Sequence, residues 1–292
     1  MLLLILFSIS LHLTKSKSVK TPFGVVEGIA HRLGDQWMDV YLGVPFGKSR
    51  RFQKPTLIEP WEGVKSATKV GNACYNVYSA NQIRATLDVL TAAESPSRML
   101  FSEDCLYLHI LAPSATNWNV KGHPVLVITR GGVYEINGGN LVAMKYDVLL
   151  RNFVSRGIVV VVINYRVGVL GFLSTEDSKY PGNYALWDRQ IALLFIQKTI
   201  KSFGGNPEEV TVMGVGDVVS ALSLSPHTNR LFHRAIQVGG SMFSQTNLGT
   251  NCKNDSNSLA KSLGCSTAES CERMVTAPVV VLRESVGKLV SF

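Results

Sequence analysis

Two stretches of this chain are apolar at nearly every position: residues 124–128, PVLVI, and residues 157–164, GIVVVVIN. Short β-branched runs with no polar face are expected of parallel strands that helices cover on both sides. Elsewhere the period changes. Residues 141–153 have helical spacing, and in residues 183–203 Leu186, Ile191, Leu194, Phe195 and Ile200 recur every one to five positions, which also predicts a helix. Residues 21–44 alternate around a turn at 32–35 and predict two strands. Residues 106–111 and 234–238 read as further short strands. Helix and strand in alternation predict an α/β fold with a mostly parallel, doubly wound sheet. Residues 76–102 read as an excursion from that sheet, and beyond Gly249 the chain turns polar, then helical.

One junction draws attention. Residues 210–226, VTVMGVGDVVSALSLSP, read as a strand, a turn through Gly214 and Gly216, and a helix. Hydrolases of the α/β class place a nucleophile on such a junction. Here no Ser, Cys or Asp lies between the two glycines. Ser220, four residues on, is expected to point its hydroxyl away from the turn. Asp217 is flanked two residues away by the β-branched Val215 and Val219, which leave little room for a sharp elbow.

Composition narrows the classes. The formal charge is +8, from 29 Lys and Arg against 21 Asp and Glu. The basic residues are scattered, the densest group being KSRRFQK at 48–54, so the pattern is that of a solvated basic surface rather than a nucleic-acid face. The N-terminal run MLLLILFSISLHL is too short to span a bilayer. It reads as a signal peptide over residues 1–18, with an N-terminal strand or a membrane anchor as the alternative. Secretion then follows as the expected localisation, and Asn254 in Asn254-Asp255-Ser256 becomes a glycosylation acceptor. Five cysteines, Cys74, Cys105, Cys252, Cys265 and Cys271, allow at most two bridges. None has the spacing of a zinc site, and neither a metal nor a cofactor is expected.

Several segments together resemble one family. VYLGVPFGKS (40–49), the long stretch from Arg51 to Cys74, SEDCLYLHI (102–110), NYRVGVLGFLST (164–175), PGNYALWDRQIAL (181–193), SFGGNPEEVTVMG (202–214) and LSPHTNRLFHRAIQVGGS (224–241) occur in family order. The chain resembles the type-B carboxylesterases and cholinesterases from about Val19 to about Leu282. The resemblance implies an α/β-hydrolase fold, with residues 19–292 forming the N-terminal part of the domain and the last strands missing.

It also implies site roles. Cys74 pairs with Cys105, and Cys252 with Cys265. Arg166 and Asp188 form a buried ion pair, and Arg51 pairs with Glu103. The family's Gly-x-Ser-x-Gly elbow aligns so that Gly216 takes the nucleophile position; an alignment from Ser225-Pro226 backwards instead deletes the serine turn. The oxyanion region falls at Gly131, Gly132 and Val133, with Asp217 after the nucleophile position, where a carboxylate opposes a developing oxyanion. The family's acid and histidine come later than this chain reaches. His12, His31, His109, His123, His227 and His233 are therefore read as surface or scaffold residues; His31, His123 and His227 are placed in turns.

Two main readings follow. One is a secreted, non-catalytic protein with a binding or adhesion role and a partner that covers the open sheet edge at 234–238. The other is a carboxylic ester hydrolase represented by a fragment or an incomplete gene model. A product with no stable core is the third.

Overall fold

The structure is a computed structural model and describes residues 16–75, 101–114, 121–129, 146–243, 252–279 and 281–282. The leader at 1–15, most of the excursion at 76–100, the oxyanion segment at 130–145 and the C-terminal 283–292 lie outside the described residues.

A 9-stranded mixed sheet forms the centre. Its strands are β1 (Ser16–Thr21), β2 (Gly24–Leu33), β3 (Gln36–Pro45), β4 (Val64–Ser66), β5 (Tyr107–Pro113), β6 (His123–Thr129), β7 (Val159–Ile163), β8 (Gly205–Val215) and β9 (Arg234–Val238). The spatial order is β1-β2-β3-β5-β7-β6-β8-β9, with β4 added in parallel to β2. The pairs from β1 to β7 are antiparallel. β7, β6, β8 and β9 are mutually parallel. β1 starts at Ser16, so a cut after Ser18 would remove half of it.

The apolar runs form the strands that their lack of a polar face predicts. Along β7 all five residues are buried. Val159, Val161 and Ile163 enter one core, while Val160 and Val162 enter the core on the other face. That is the period-2 alternation of a strand covered on both sides. β6 divides in the same way, with Val125 and Val127 on the first face and Leu126 and Ile128 on the second. Fully burying each such side chain is worth about 1.5–3 kcal/mol.

The second face is covered by α1 (Tyr146–Asn152) through Leu149 and Leu150. The first is covered by α3 (Tyr184–Thr199), through Ala192, Phe195 and Ile196, and by α4 (Gly216–Leu224), through Val219 and Leu222. A short α2 (Gly168–Phe172) precedes α3, and α5 (Cys252–Ser262) and α6 (Glu272–Thr276) follow the sheet. These last elements share a third core, in which Phe52, Tyr180 and Tyr184 meet Leu259, Met274 and Leu282. β9 ends the sheet among the described residues, and all five of its residues are exposed.

Two histidines sit differently from the turns expected of them. His31 lies within β2, and His123 is the first residue of β6. Both strands run further than their apolar cores suggest, because ladder pairing extends into the polar flanks. His227 lies in a turn beside Trp187, with ring centroids 4.9 Å apart.

The cysteines also differ in part. Cys74 and Cys105 are bonded, and so are Cys265 and Cys271. The resemblance pairs Cys265 with Cys252, and the reason for the difference is α5. Cys252 is its first residue, whereas the Cys265 N–H returns to the Ala260 carbonyl near its end. Eight helical residues separate those levels, roughly 12 Å at 1.5 Å each, beyond the roughly 7 Å Cα span of a disulfide. Cys265 and Cys271 have Cα atoms 5.5 Å apart. Cys252 keeps its thiol, whose pKa is raised by burial first and then by Asp255 and Glu176.

Candidate functional site

The crevice of an open α/β sheet forms where neighbouring strands send their connections to opposite faces. β6 and β8 are such neighbours. Thr129, the last residue of β6, stands in register with Gly214 of β8. From β6 the chain goes to α1 on one face, and from β8 it goes to α4 on the other. The candidate site is the corner where β8 becomes α4.

This corner lacks the strained elbow that the strand–turn–helix pattern suggests. β8 continues through Gly214 to Val215, which is extended (φ −61°, ψ 135°), and α4 begins at Gly216. Gly216 has no positive φ. It is needed for space instead. A Cβ built there would lie 2.0 Å from the Gly239 carbonyl oxygen and 2.3 Å from that of Gly240. Gly214 is equally confined, since its Cβ would meet the Thr129 carbonyl oxygen at 2.4 Å.

The closing segment follows β9. Gly239 and Gly240 both have left-handed φ, +63° and +65°, a conformation that glycine adopts without a Cβ penalty. Together they turn the chain back over the start of α4. The Gly216 N–H donates to the Gly239 carbonyl at 2.8 Å, which satisfies one of the orphan donors of a helix start. The Met242 N–H donates to Ser220 Oγ at 2.8 Å.

Ser220 does not point away from the corner. Its hydroxyl turns back and donates to the carbonyls of Gly216 (2.6 Å) and Asp217 (3.0 Å), the local bonding that short hydroxyl side chains make inside helices. It is buried, and among the described residues its hydrogen-bond partners are all backbone groups. Asp217 is 6% exposed, and its carboxylate accepts the Val218 N–H at 2.8 Å. Gly131, Gly132 and Val133 lie outside the described residues, so Asp217 is the one member of the expected oxyanion region on view.

Three of the histidines among the described residues have partners elsewhere. His109 Nδ1 accepts the Gly43 N–H at 3.0 Å, and burial lowers its pKa to about 3. His233 Nδ1 accepts the Val210 N–H at 3.3 Å, and its Nε2 lies 3.8 Å from Glu208. His31 Nε2 lies 3.8 Å from Asp147.

Beside the crevice the charged scaffold is complete. Asp188, on α3 and fully buried, takes the Arg166 backbone N–H (2.9 Å), Nε (2.9 Å) and Nη2 (2.7 Å). Arg166 Nη1 donates to the carbonyls of Gln53 (2.9 Å) and Arg50 (3.3 Å). Arg51 and Glu103 form a two-point pair, with Nε at 2.9 Å from Oε2. Arg51 also donates to the carbonyls of Met274 (3.2 Å) and Ala277 (2.6 Å), tying the end of α6 to the turn at Arg51. Sequence reasoning missed Arg189 and the Gly239-Gly240 closure. The only signals available were a second cation directly after Asp188 and a Gly-Gly pair directly after a strand.

No group of His, Cys, Asp and Glu suited to a metal ion occurs among the described residues. Nor is any helix among them long and apolar enough to cross a membrane.

The comparisons with known proteins agree with one another. A family model described as the carboxylesterase family matches residues 15–283. Gut esterase 1 of Caenorhabditis briggsae is 36% identical over 254 residues, covering 85% of this chain and 41% of that protein. Esterase cest-33 of Caenorhabditis elegans is 37% identical over 240 residues, covering 78% and 41%. Liver carboxylesterase 1 of Mus musculus is 40% identical over 238 residues, covering 79% and 41%. The matched part of the chain thus spans about two fifths of the length of these relatives. With its α/β sheet and the Arg166–Asp188 and Arg51–Glu103 pairs in place, the chain belongs to the type-B carboxylesterase family of α/β-hydrolases.

Proposed function

We propose that this chain is a non-catalytic carboxylesterase-family protein that acts by binding, in a secreted, adhesion-type role. One observation carries the reading. The nucleophile position is Gly216, and the carbonyls of Gly239 and Gly240 fill the space a side chain would need there. A serine esterase needs an Oγ at that point to form its acyl-enzyme. Ser220, the nearest hydroxyl on α4, is already bonded to two carbonyls and a backbone N–H. Among the described residues β9 is the edge strand of the sheet, with Ile236 and Val238 exposed, the kind of strand that a protein partner pairs with.

The test is to express the chain from residue 1 in a secretory host and treat the product with a fluorophosphonate probe. The expected outcome is a protein in the medium that begins at Val19, takes up no probe, and carries a glycan at Asn254. Asn254 is exposed on the first turn of α5, whereas the Ser256 hydroxyl is buried against the backbone of Ser174. A glycan therefore has to be added before that helix packs. Mass spectrometry of the intact protein reads all three features, and a phosphonylated serine would end the non-catalytic reading. A photo-crosslinker at Ile236 that captures nothing on a cell surface would end the β9 docking role.

The second reading is a carboxylic ester hydrolase of which this sequence is a part. It is favoured by the esterase names of the relatives and by the 41% of their length that is matched. Sequencing the transcript through codon 216 and past codon 292 separates the two. A serine elbow followed by a later acid and histidine supports the hydrolase.

A further inference from the structure

We infer that Arg189 is a receptor for a small monocarboxylate at the β6–β8 crevice. Arg189 is only 2% exposed. The carboxylate next to it in sequence, Asp188, is already engaged by three donors of Arg166. No carboxylate among the described residues comes within 4.0 Å of Arg189; those that do pair with a cation all pair elsewhere.

Its own partners are neutral. Nε donates to Thr129 Oγ1 at 2.9 Å, and Nη1 donates to the Ala185 carbonyl at 2.9 Å. The guanidinium carbon lies 3.4 Å from the centroid of the Tyr165 ring. A guanidinium has five N–H donors, and these bonds engage two. A buried lysine or histidine could release its proton, whereas arginine stays ionised. One full positive charge is therefore held inside the protein by a hydroxyl, a carbonyl and a ring face. An uncompensated buried charge is strongly unfavourable, and an anion from solution would relieve it.

The location points the same way. Thr129 ends β6 at the switch point of the sheet, where ligands of open α/β folds bind. Asp217, the buried carboxylate of the same corner, is turned to the Val218 N–H. The ligand class follows from charge and shape. A single uncompensated cation balances one negative charge. The planar fork fits a carboxylate with two parallel bonds, and Tyr165 supplies an apolar wall for a short tail. A phosphate, tetrahedral and close to doubly charged at neutral pH, fits less well.

The inference rests on the binding reading of this protein, and its test reads a different atom. The purified full chain is titrated with sodium butyrate, and separately with inorganic phosphate, by isothermal calorimetry at fixed ionic strength. The expected result is saturable butyrate binding that Arg189→Gln weakens at least tenfold, with phosphate weaker than butyrate. Absence of saturation in the unaltered chain overturns the proposal, as does equal affinity in folded Arg189→Gln or tighter binding of phosphate. Should Arg189→Gln fail to give a folded far-ultraviolet spectrum, Thr129→Val removes the Nε partner and is expected to weaken butyrate at least threefold; unchanged affinity there overturns the proposal too. Failure of this titration leaves the fluorophosphonate result standing, because that probe reads the nucleophile and not the guanidinium.

Discussion

Two corners of one parallel sheet, built from adjacent elements, have been kept to different standards. Where β7 leads through α2 into α3, the Arg166–Asp188 pair is fully formed. Arg166 gives Asp188 three hydrogen bonds and gives two more to backbone carbonyls, and both side chains are buried. Where β8 leads into α4, the strand-to-helix junction is a glycine, and backbone carbonyls occupy the space beside it. Gly239 and Gly240 fold onto Gly216, and Ser220 is absorbed into hydrogen bonds. The first corner fixes the fold and the second would fix the reaction. The contrast teaches that family membership here is carried by the scaffold, and activity has to be judged at the second corner alone.

The largest effect is expected at the first corner. Asp188→Ala leaves the Arg166 guanidinium buried with only carbonyl partners. Breaking a buried pair in this one-sided way costs about 3–5 kcal/mol, a large share of the 5–15 kcal/mol that holds a typical domain together. Urea unfolding should show a midpoint far below that of the unaltered chain, or no cooperative transition. A midpoint within the spread of surface substitutions would mean that the corner does not hold the fold.

How much of this contrast could be read from residue order depends on how local its causes are. The two-faced burial of β7 follows from GIVVVVIN itself, because alternate residues of a strand must go to opposite sides. The Arg166 and Asp188 roles follow from the family resemblance of NYRVGVLGFLST and PGNYALWDRQIAL. The missing side chain at Gly216 was visible as well. Its blockade was not, since the two carbonyls that fill the space lie 23 and 24 residues further on and reach it only through the β8–β9 pairing. The Cys265–Cys271 bridge was hidden for a related reason: counting cysteines allows any pairing, and only α5 holds Cys252 out of reach. That Arg189 has no carboxylate partner among the described residues depends on Asp188 being engaged by Arg166, a fact of three-dimensional contact. The oxyanion segment at Gly131, Gly132 and Val133 lies outside the described residues, so its part of the comparison rests on the sequence.

The second corner is challenged by Gly216→Ser, which restores the residue type a hydrolase would use. The added Cβ meets carbonyl oxygens at 2.0 and 2.3 Å, and backbone cannot swing aside as a flexible side chain can. The segment after β9 has to lift, losing the Gly216–Gly239 and Met242–Ser220 bonds. Overpacking of this kind costs about 1–3 kcal/mol. The variant is expected to unfold at lower urea and still to refuse the fluorophosphonate probe. Unchanged stability together with probe uptake would show that the corner is a working elbow missing one atom, and the contrast between the corners would collapse.

The smallest effect probes whether the well-kept region carries a cost of its own. His109, on β5, is buried and accepts the Gly43 N–H, which needs the neutral ring; burial lowers its pKa to about 3. In the unfolded chain the same ring titrates near 6.5. The sign follows directly. Above pH 6.5 both states hold a neutral ring, and the contribution of this site to stability is fully present. As pH falls from 6.5 towards 3, the unfolded state binds a proton that the folded state refuses, and stability drops by roughly 1 kcal/mol per pH unit. His109→Gln keeps an acceptor near the Gly43 N–H and does not titrate. Urea midpoints for both proteins at pH 7 and pH 5 should therefore converge or cross on acidification, with the unaltered chain losing roughly 1–2 kcal/mol more than the variant. Parallel losses in the two proteins would place the acid sensitivity elsewhere and leave the scaffold corner free of this penalty.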